Sequence, residues 1–510
     1  MKKRLTALLL AAMLLLTGCA GDWSEDEEIV NDLTDYYQSA TEEPKPTPLS
    51  AFGLPYSASS TLDPITCADG IQQTLGALLY DGLFQLDDHF DAQKALCSDY
   101  HYDAANATYT LTLRSVKFSD GSDLTAQDVI ATLQRAKNSD RYGERLSEVK
   151  SISGYGDIVY IALKTDNSNF PACLDIPIVK DGTEDELIPT GSGPYCYAKD
   201  DDGSYLQKNA HWWQGKALPL KRIHLINCKD PDTTAYAFTS RQIQVLANDL
   251  TATDSIAISG DSNYTDVCST TMLYLGFNTR HELLKNASVR QAISKGINRE
   301  SLINAYLLGH GTASQFPLPS TSSLYPVKSE VAYSPDTFYK ALQSADCASG
   351  NSSHSLTLLV NNENSFKVSL AQAIADSLST GDLHVSVSAL DYENFERALR
   401  RGNFDLYLGE CKMTADWDFS PLMSSGGHLN YGGYSDKKMS SLLKNYLSST
   451  ENNRSGNMKT LCTYFRQQAP FVPICFKNIS ILVTPNVITN VSPTAANSFY
   501  NFDSWKIDLD

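Results

Sequence analysis

Eight segments alternate apolar and polar residues, or run apolar at strand length: 109–114, 158–164, 223–227, 273–277, 356–360, 383–390, 404–408 and 479–484. Helical periodicity lies between some of them. Thr125 followed by Asp128 predicts an N-cap with a carboxylate in the first turn, leading into Val129, Ile130 and Leu133. Ser288 predicts a second cap, for a helix whose Val289, Ala292, Ile293 and Ile297 share one face. Residues 356–360, then Phe366, Leu370, Ile374 and Leu378, then 383–390 read as strand–helix–strand, the right-handed crossover that joins parallel strands. Strands and helices mixed in this way, without an internal repeat, predict an α/β protein with mixed β-sheets.

The longest apolar run stands at the N-terminus. Lys2, Lys3 and Arg4 precede residues 5–16, interrupted only by Thr6. Twelve residues are too few to cross a ~30 Å hydrocarbon core but suit a signal peptide. The run ends Leu16-Thr17-Gly18-Cys19, which resembles the bacterial lipobox. That resemblance implies a lipoprotein signal over 1–18, with Cys19 as the site of lipid attachment and a membrane anchor. The alternative is an ordinary secretory signal with an incidental cysteine. Cleavage before Cys19 takes 18 residues and three cations from a chain of 510 residues and net charge −18, leaving 492 residues and −21. Residues 19–48 follow as an acidic, Pro-rich tether: nine Asp and Glu precede Lys45, and Pro44, Pro46 and Pro48 stiffen the end. A helix around 29–37 is the alternative there.

Composition adds exclusions. A chain with 42% hydrophobic and 20% charged residues is neither low-complexity nor wholly disordered, and its length predicts two to four domains. A charge of −18 repels phosphate backbones, so nucleic acid is not an expected partner. The eleven cysteines form no C-x-x-C and are scattered along the chain, so neither a metal nor another cofactor is expected.

Short motifs along the body, taken in order, resemble the extracellular solute-binding proteins of peptide and nickel ABC importers, family 5. They are Leu62-Asp63-Pro64, Leu79-Tyr80-Asp81-Gly82-Leu83, the stretch 109–121 ending Ser119-Asp120-Gly121, Leu124–Val129, and Thr190-Gly191-Ser192-Gly193-Pro194-Tyr195. Asn209-Ala210-His211-Trp212-Trp213, Gly276-Phe277-Asn278-Thr279 and Val289-Arg290-Gln291-Ala292-Ile293 with Asn298-Arg299 complete the order. Each also has a plain structural role. Asp120-Gly121 makes a turn with Gly at positive φ, the glycines at 190–195 suit a lobe crossover, Arg290 and Arg299 suit structural ion pairs, and Trp212 and Trp213 suit lobe packing.

The resemblance implies a two-lobed periplasmic-binding-protein-like fold, type II and three-domain, with mixed β-sheets and a ligand cleft between lobes that close by hinge motion. It implies domain I from 49–78, 190–270 and 486–510, domain II from 79–189 and domain III from 271–485. It implies a short peptide as ligand and separate permease and ATPase subunits as partners. The ligand's amino group needs a carboxylate; Ala415-Asp416-Trp417-Asp418 matches the family's turn that supplies it, with Asp416 as the carboxylate, Trp417 in the aromatic place and Asp418 as the alternative. Asp69, Gln72 and Gln73 fall where relatives line the cleft. Cys268 and Cys411 fall near a disulfide of some oligopeptide-binding relatives. An oligosaccharide, a nickel chelate or a signalling peptide is the alternative ligand, although His281, His310 and His428 are isolated in sequence. An enzyme is the remote alternative, a glycoside hydrolase using Asp416 and Asp418. Against it, the chain lacks G-x-S-x-G, H-E-x-x-H and S-x-x-K paired with K-T-G, so no catalysis is expected.

Overall fold

A computed structural model describes residues 49–259, 262–344, 354–380 and 383–509. Cys19, the leader and the tether lie outside them, as does the alternative helix at 29–37. None of the described helices is long and apolar enough to cross a membrane.

Three main sheets organise the chain. In the first, Gly53–Tyr56 runs parallel to Arg222–Asn227, followed by Gly203–Lys208 and Tyr195–Asp200. The second is an antiparallel sheet in the order Cys97–Asp103, Thr108–Leu113, Ile158–Leu163, Val149–Tyr155. Its alternating Tyr109, Leu111, Val159 and Ile161 are fully buried. They pack under helix Ala126–Lys137, which starts at the expected capping box: Thr125 donates from its amide and its hydroxyl to Asp128 Oδ2 at 2.8 and 2.9 Å. The third sheet orders Val245–Asn248, Phe471–Val483, Asn263–Phe277, Leu406–Lys412, His354–Asn361 and Leu383–Leu390, with Gly311–Ala313 also on Phe471–Val483. There His354–Asn361 and Leu383–Leu390 are parallel and flank helix Ser365–Leu378, the crossover unit expected from the pattern.

Three local readings are corrected. Helix Ala287–Gly296 is capped by Asn286, whose Oδ1 accepts from the Ser288 amide at 2.9 Å, so Ser288 lies inside the first turn. Among the described residues Arg290 and Arg299 form no ion pair. Arg290 donates to the carbonyls of Leu284, Lys285, Gln468 and Ala469, and Arg299 to those of Ser294, Ser314 and Pro473. Buried guanidinium groups staple loops to strands here because five donors can serve several orphan carbonyls at once. Strand Asn263–Phe277 also begins ten residues before its apolar run at 273, because a polar half pairs with Phe471–Val483 and stays partly exposed. The expected domain III boundary at 271 falls inside this strand.

The glycines at 191 and 193 are required by proximity. The Gly193 amide donates to Leu79 O at 2.9 Å, and a Cβ would stand 2.1 Å from that oxygen at Gly191 and 2.5 Å from the Leu79 carbonyl carbon at Gly193. Gly193→Ala is therefore expected to destabilise the fold by about 1–3 kcal/mol or more through overpacking. Urea unfolding checks this; an unchanged midpoint would show that the crossover can relax. Trp213 beside it donates to Asp81 Oδ2 at 3.0 Å and lies under Arg114, a packing role.

Candidate functional site

The turn after strand Leu406–Lys412 carries Asp416, Trp417 and Asp418. Asp416 is buried, 4% exposed, and saturated with donors. Its Oδ1 accepts from the Thr414 hydroxyl at 2.5 Å and its Oδ2 from Asn167 Nδ2 at 2.7 Å. Its carbonyl accepts from Tyr446 Oη at 2.7 Å and Asn169 Nδ2 at 3.3 Å. Asn167 and Asn169 come from the segment 79–189, so the carboxylate is gripped across a seam between distant parts of the chain. Ser168 N donates to Leu447 O at 2.7 Å and Arg454 Nη2 to Ser168 O at 3.0 Å, fastening the same seam. Phe90, on the hairpin between Phe84–Leu86 and Ala92–Lys94, meets the Trp417 ring edge-on at 5.4 Å.

Trp417 offers no open face. It is 1% exposed, with φ +56°, and packs between Phe90 and Phe476. The expectation of a ligand-facing aromatic is thus corrected: the left-handed backbone turns the ring inward. Asp418 is less enclosed and caps Ser420, accepting from its amide and hydroxyl at 2.8 Å.

Burial and then the Asp416 charge push the Asp418 pKa up to about 6. A carboxyl whose folded pKa exceeds its unfolded value near 3.9 contributes stability that is full below about pH 4 and lost as pH rises to about 6. Asp418→Asn is accordingly expected to raise stability at pH 7 by up to about 3 kcal/mol and to flatten the loss of stability between pH 4 and 6. Thermal melts of both proteins across that range check this; parallel curves would show that Asp418 does not titrate there.

The first-segment residues divide. Asp69 caps helix Gly70–Leu79, accepting from the Ile71 amide at 2.8 Å. Gln72 is buried: its Nε2 donates to the carbonyls of Ser57 and Ser60, and its Oε1 accepts from Ser57 N. Gln73 donates to Cys67 O at 2.9 Å. Gln72 is spent on its own loop, which corrects its expected place on a ligand surface. Asp69 and Gln73 border Cys67, whose thiol senses Arg141 from the 79–189 segment.

The expected Cys268–Cys411 bond is corrected too, since both thiols are free. Cys411 pairs across the sheet with Met272, four residues along from Cys268, and its Sγ lies 3.7 Å from Met413 Sδ. The offset along the strand keeps the two sulfurs on different rungs.

Sequence reasoning missed a second region. A cavity of about 600 Å³ lies between the stretch 250–258 with Ser262 and residues 308–310 and 363–366, walled by Ile256, Ile258, Tyr264, His310 and Phe366. The His310 ring bonds Asp266 Oδ2 through Nδ1 at 2.9 Å. Asn364 Nδ2, at the cavity wall, donates to Thr251 O at 2.8 Å. Beside it four buried or half-buried charges interlock: Lys477 Nζ lies 2.6 Å from Asp249 and 3.8 Å from Glu410, and Lys367 Nζ lies 3.3 Å from Glu410. A signal existed, for Lys477 is a lone cation in the apolar strand Phe471–Val483, where an ionisable residue needs partners. His281, His310 and His428 remain apart, facing Asp405, Asp266 and Glu144 respectively. No group of three His, Cys, Asp or Glu among the described residues is placed to hold a metal ion.

Comparison with known proteins agrees with this architecture. The chain is 25% identical over 451 residues to the glutathione-binding protein GsiB of Escherichia coli, covering 82% of this chain and 87% of the relative. It is 27% identical over 426 residues to GsiB of Pectobacterium atrosepticum, covering 78% and 82%. Among solved structures, the substrate-binding protein CtaP of Listeria monocytogenes aligns with TM-score 0.72 at 19% identity, covering 91% of this chain and all of that one. The oligopeptide-binding protein AppA of Bacillus subtilis, in complex with a nonapeptide, aligns with TM-score 0.61 at 20% identity over 90% of this chain and all of that one. The family model of bacterial extracellular solute-binding proteins, family 5, matches residues 91–468, and the chain belongs to that family.

Proposed function

We propose that this protein is the lipid-anchored solute-binding subunit of an ABC importer, capturing short peptides in extended form between its lobes and presenting them to a membrane permease. The observation that carries the ligand class is the carboxylate of Asp416, which already accepts an N–H donor from across the seam. A free peptide amino group is such a donor, and entry of the ligand would replace the Asn167 amide on Oδ2. The ligand would contact both sides only in the closed form and so shift the population toward closure. Relatives named for glutathione, itself a tripeptide, fit a short-peptide ligand. The protein carries the ligand unchanged, without catalysis.

Native mass spectrometry of freshly purified protein, followed by calorimetric titration with glutathione, trialanine, maltotriose and a nickel–histidine chelate, tests the reading. A co-purified peptide mass, or saturable binding of peptides alone, is the expected result. Binding of only the sugar or the chelate would replace it. For the anchor, Cys19→Ser is expected to shift the protein from the membrane fraction to the medium, because it leaves the export signal but removes the acyl acceptor, and stable anchoring needs more than one acyl chain. Retention of the variant in membranes would rule out Cys19 as the lipid site.

A further inference from the structure

A second cavity draws on none of the residues of the Asp416 turn or of the cavity at His310. It measures about 420 Å³ and sits where the end of helix Ala287–Gly296 and the start of helix Arg299–Tyr306 meet the chain at 313–333. A smaller pocket of about 90 Å³ shares Ser294, Lys295, Gln315 and Val331 with it and extends it toward Arg466. Arg299 lines the larger cavity and is only 9% exposed, yet no carboxylate pairs with it among the described residues. Its Nε is shared between Ser314 O at 3.0 Å and Pro473 O at 2.8 Å. Nη1 donates to Ser294 O at 3.2 Å and Nη2 to Ser294 Oγ at 3.0 Å. A guanidinium has five N–H groups, so one on each terminal nitrogen is left without an acceptor among the described residues. Burial pushes the Arg299 pKa down to about 10, as for a cation taken from water without full compensation. Lys295, half-buried in the last turn of its helix, lines the same space, and its ammonium has no hydrogen bond or ion pair among the described residues.

Carboxylates line the cavity as well. Glu330 Oε1 accepts from Tyr325 Oη at 2.6 Å, and its second oxygen has no donor among the described residues. The Gln315 amide donates to Tyr325 Oη at 3.1 Å and so holds that pair at the wall. Glu300, exposed, is the second acid. Two cations with unspent N–H groups thus share one space with two carboxylates, and the charges cancel. A phosphate or a dicarboxylate would bring net charge into a neutral site, whereas a zwitterion gains charge-assisted hydrogen bonds at both ends. Ile297, Val327, Val331 and the ring of Tyr333 supply apolar wall, and the volume lies in the range of small-molecule sites.

We propose that this cavity is a second ligand site, for a free α-amino acid with an apolar side chain. The amino acid lies with its carboxylate toward Arg299 and Lys295 and its ammonium toward Glu330. The site stands whether or not the protein carries peptides, because it shares no residue with the Asp416 turn.

Titration calorimetry with L-leucine, leucinamide, which lacks the carboxylate, and 4-methylpentanoate, which lacks the ammonium, tests it. The wild-type protein is expected to bind leucine about ten- to hundredfold more tightly than either analogue. Saturating trialanine is expected to leave that affinity unchanged. Lys295→Gln is expected to weaken leucine by about the same factor. The free variant should keep the wild-type melting temperature, because the Lys295 ammonium bonds to nothing that holds the fold. Glu330→Gln keeps an acceptor for Tyr325 and is expected to weaken leucine likewise. No saturable binding of leucine overturns the proposal, as do equal affinities for leucine and its analogues, or wild-type affinity in either variant. Displacement of leucine by trialanine also overturns it, since leucine would then occupy the peptide site. If trialanine does not bind, the peptide reading fails on its own, and the dependence of leucine binding on Lys295 and Glu330 still judges this site.

Discussion

Asp416→Asn is expected to weaken binding of peptides with a free amino group by about two to four decades, since an ammonium buried without its carboxylate costs about 3–5 kcal/mol. N-acetylated peptides, which bring no charge, should bind weakly to both proteins and differ little between them. The substitution keeps one side-chain oxygen for the Asn167 amide and sets an NH2 group against the Thr414 hydroxyl, which can accept from it instead of donating, so the seam around the turn stays bonded and the melting temperature should hold. Asp418→Asn is the control, because its carboxylate is occupied by Ser420 and does not face Asn167. Calorimetry with both ligand types decides the matter. Wild-type affinity of Asp416→Asn for free-amino peptides would sink the assignment, and a loss confined to Asp418→Asn would move the site two residues on.

Trp417→Ala is expected to cost about 3–5 kcal/mol of folding stability, the range for truncating a large buried aromatic. The ring fills the space between Phe90 and Phe476, so its removal leaves a cavity on which two distant chain segments close. Relief of left-handed strain at φ +56° would not offset this, as alanine meets the same backbone restriction. Denaturant unfolding measures the effect, with Trp417→Phe as a milder variant that keeps an aromatic edge. A variant with wild-type stability and weakened peptide binding would return Trp417 to the ligand surface.

The sequence alone carried those elements whose signal is local. The Thr125–Asp128 cap, the positive φ of Gly121 and the crossover around helix Ser365–Leu378 each depend on residues within one turn or one strand period. The ordered motifs from Leu62 to Arg299 likewise pointed to the family, because each is a short contiguous string. What failed was any reading that needed to know what stands opposite. Ser288 was outcompeted by Asn286 two residues earlier for the helix cap. Arg290 and Arg299 found backbone carbonyls instead of carboxylates, since loops distant in sequence brought orphan acceptors to them.

The candidate site shows the same division. That Asp416 is a carboxylate in a tight turn was legible; that Asn167, 249 residues away, donates to it was decided by the tertiary fold. Gln72 and Trp417 are polar and aromatic residues at motif positions, and only burial distinguishes a ligand contact from a satisfied core group.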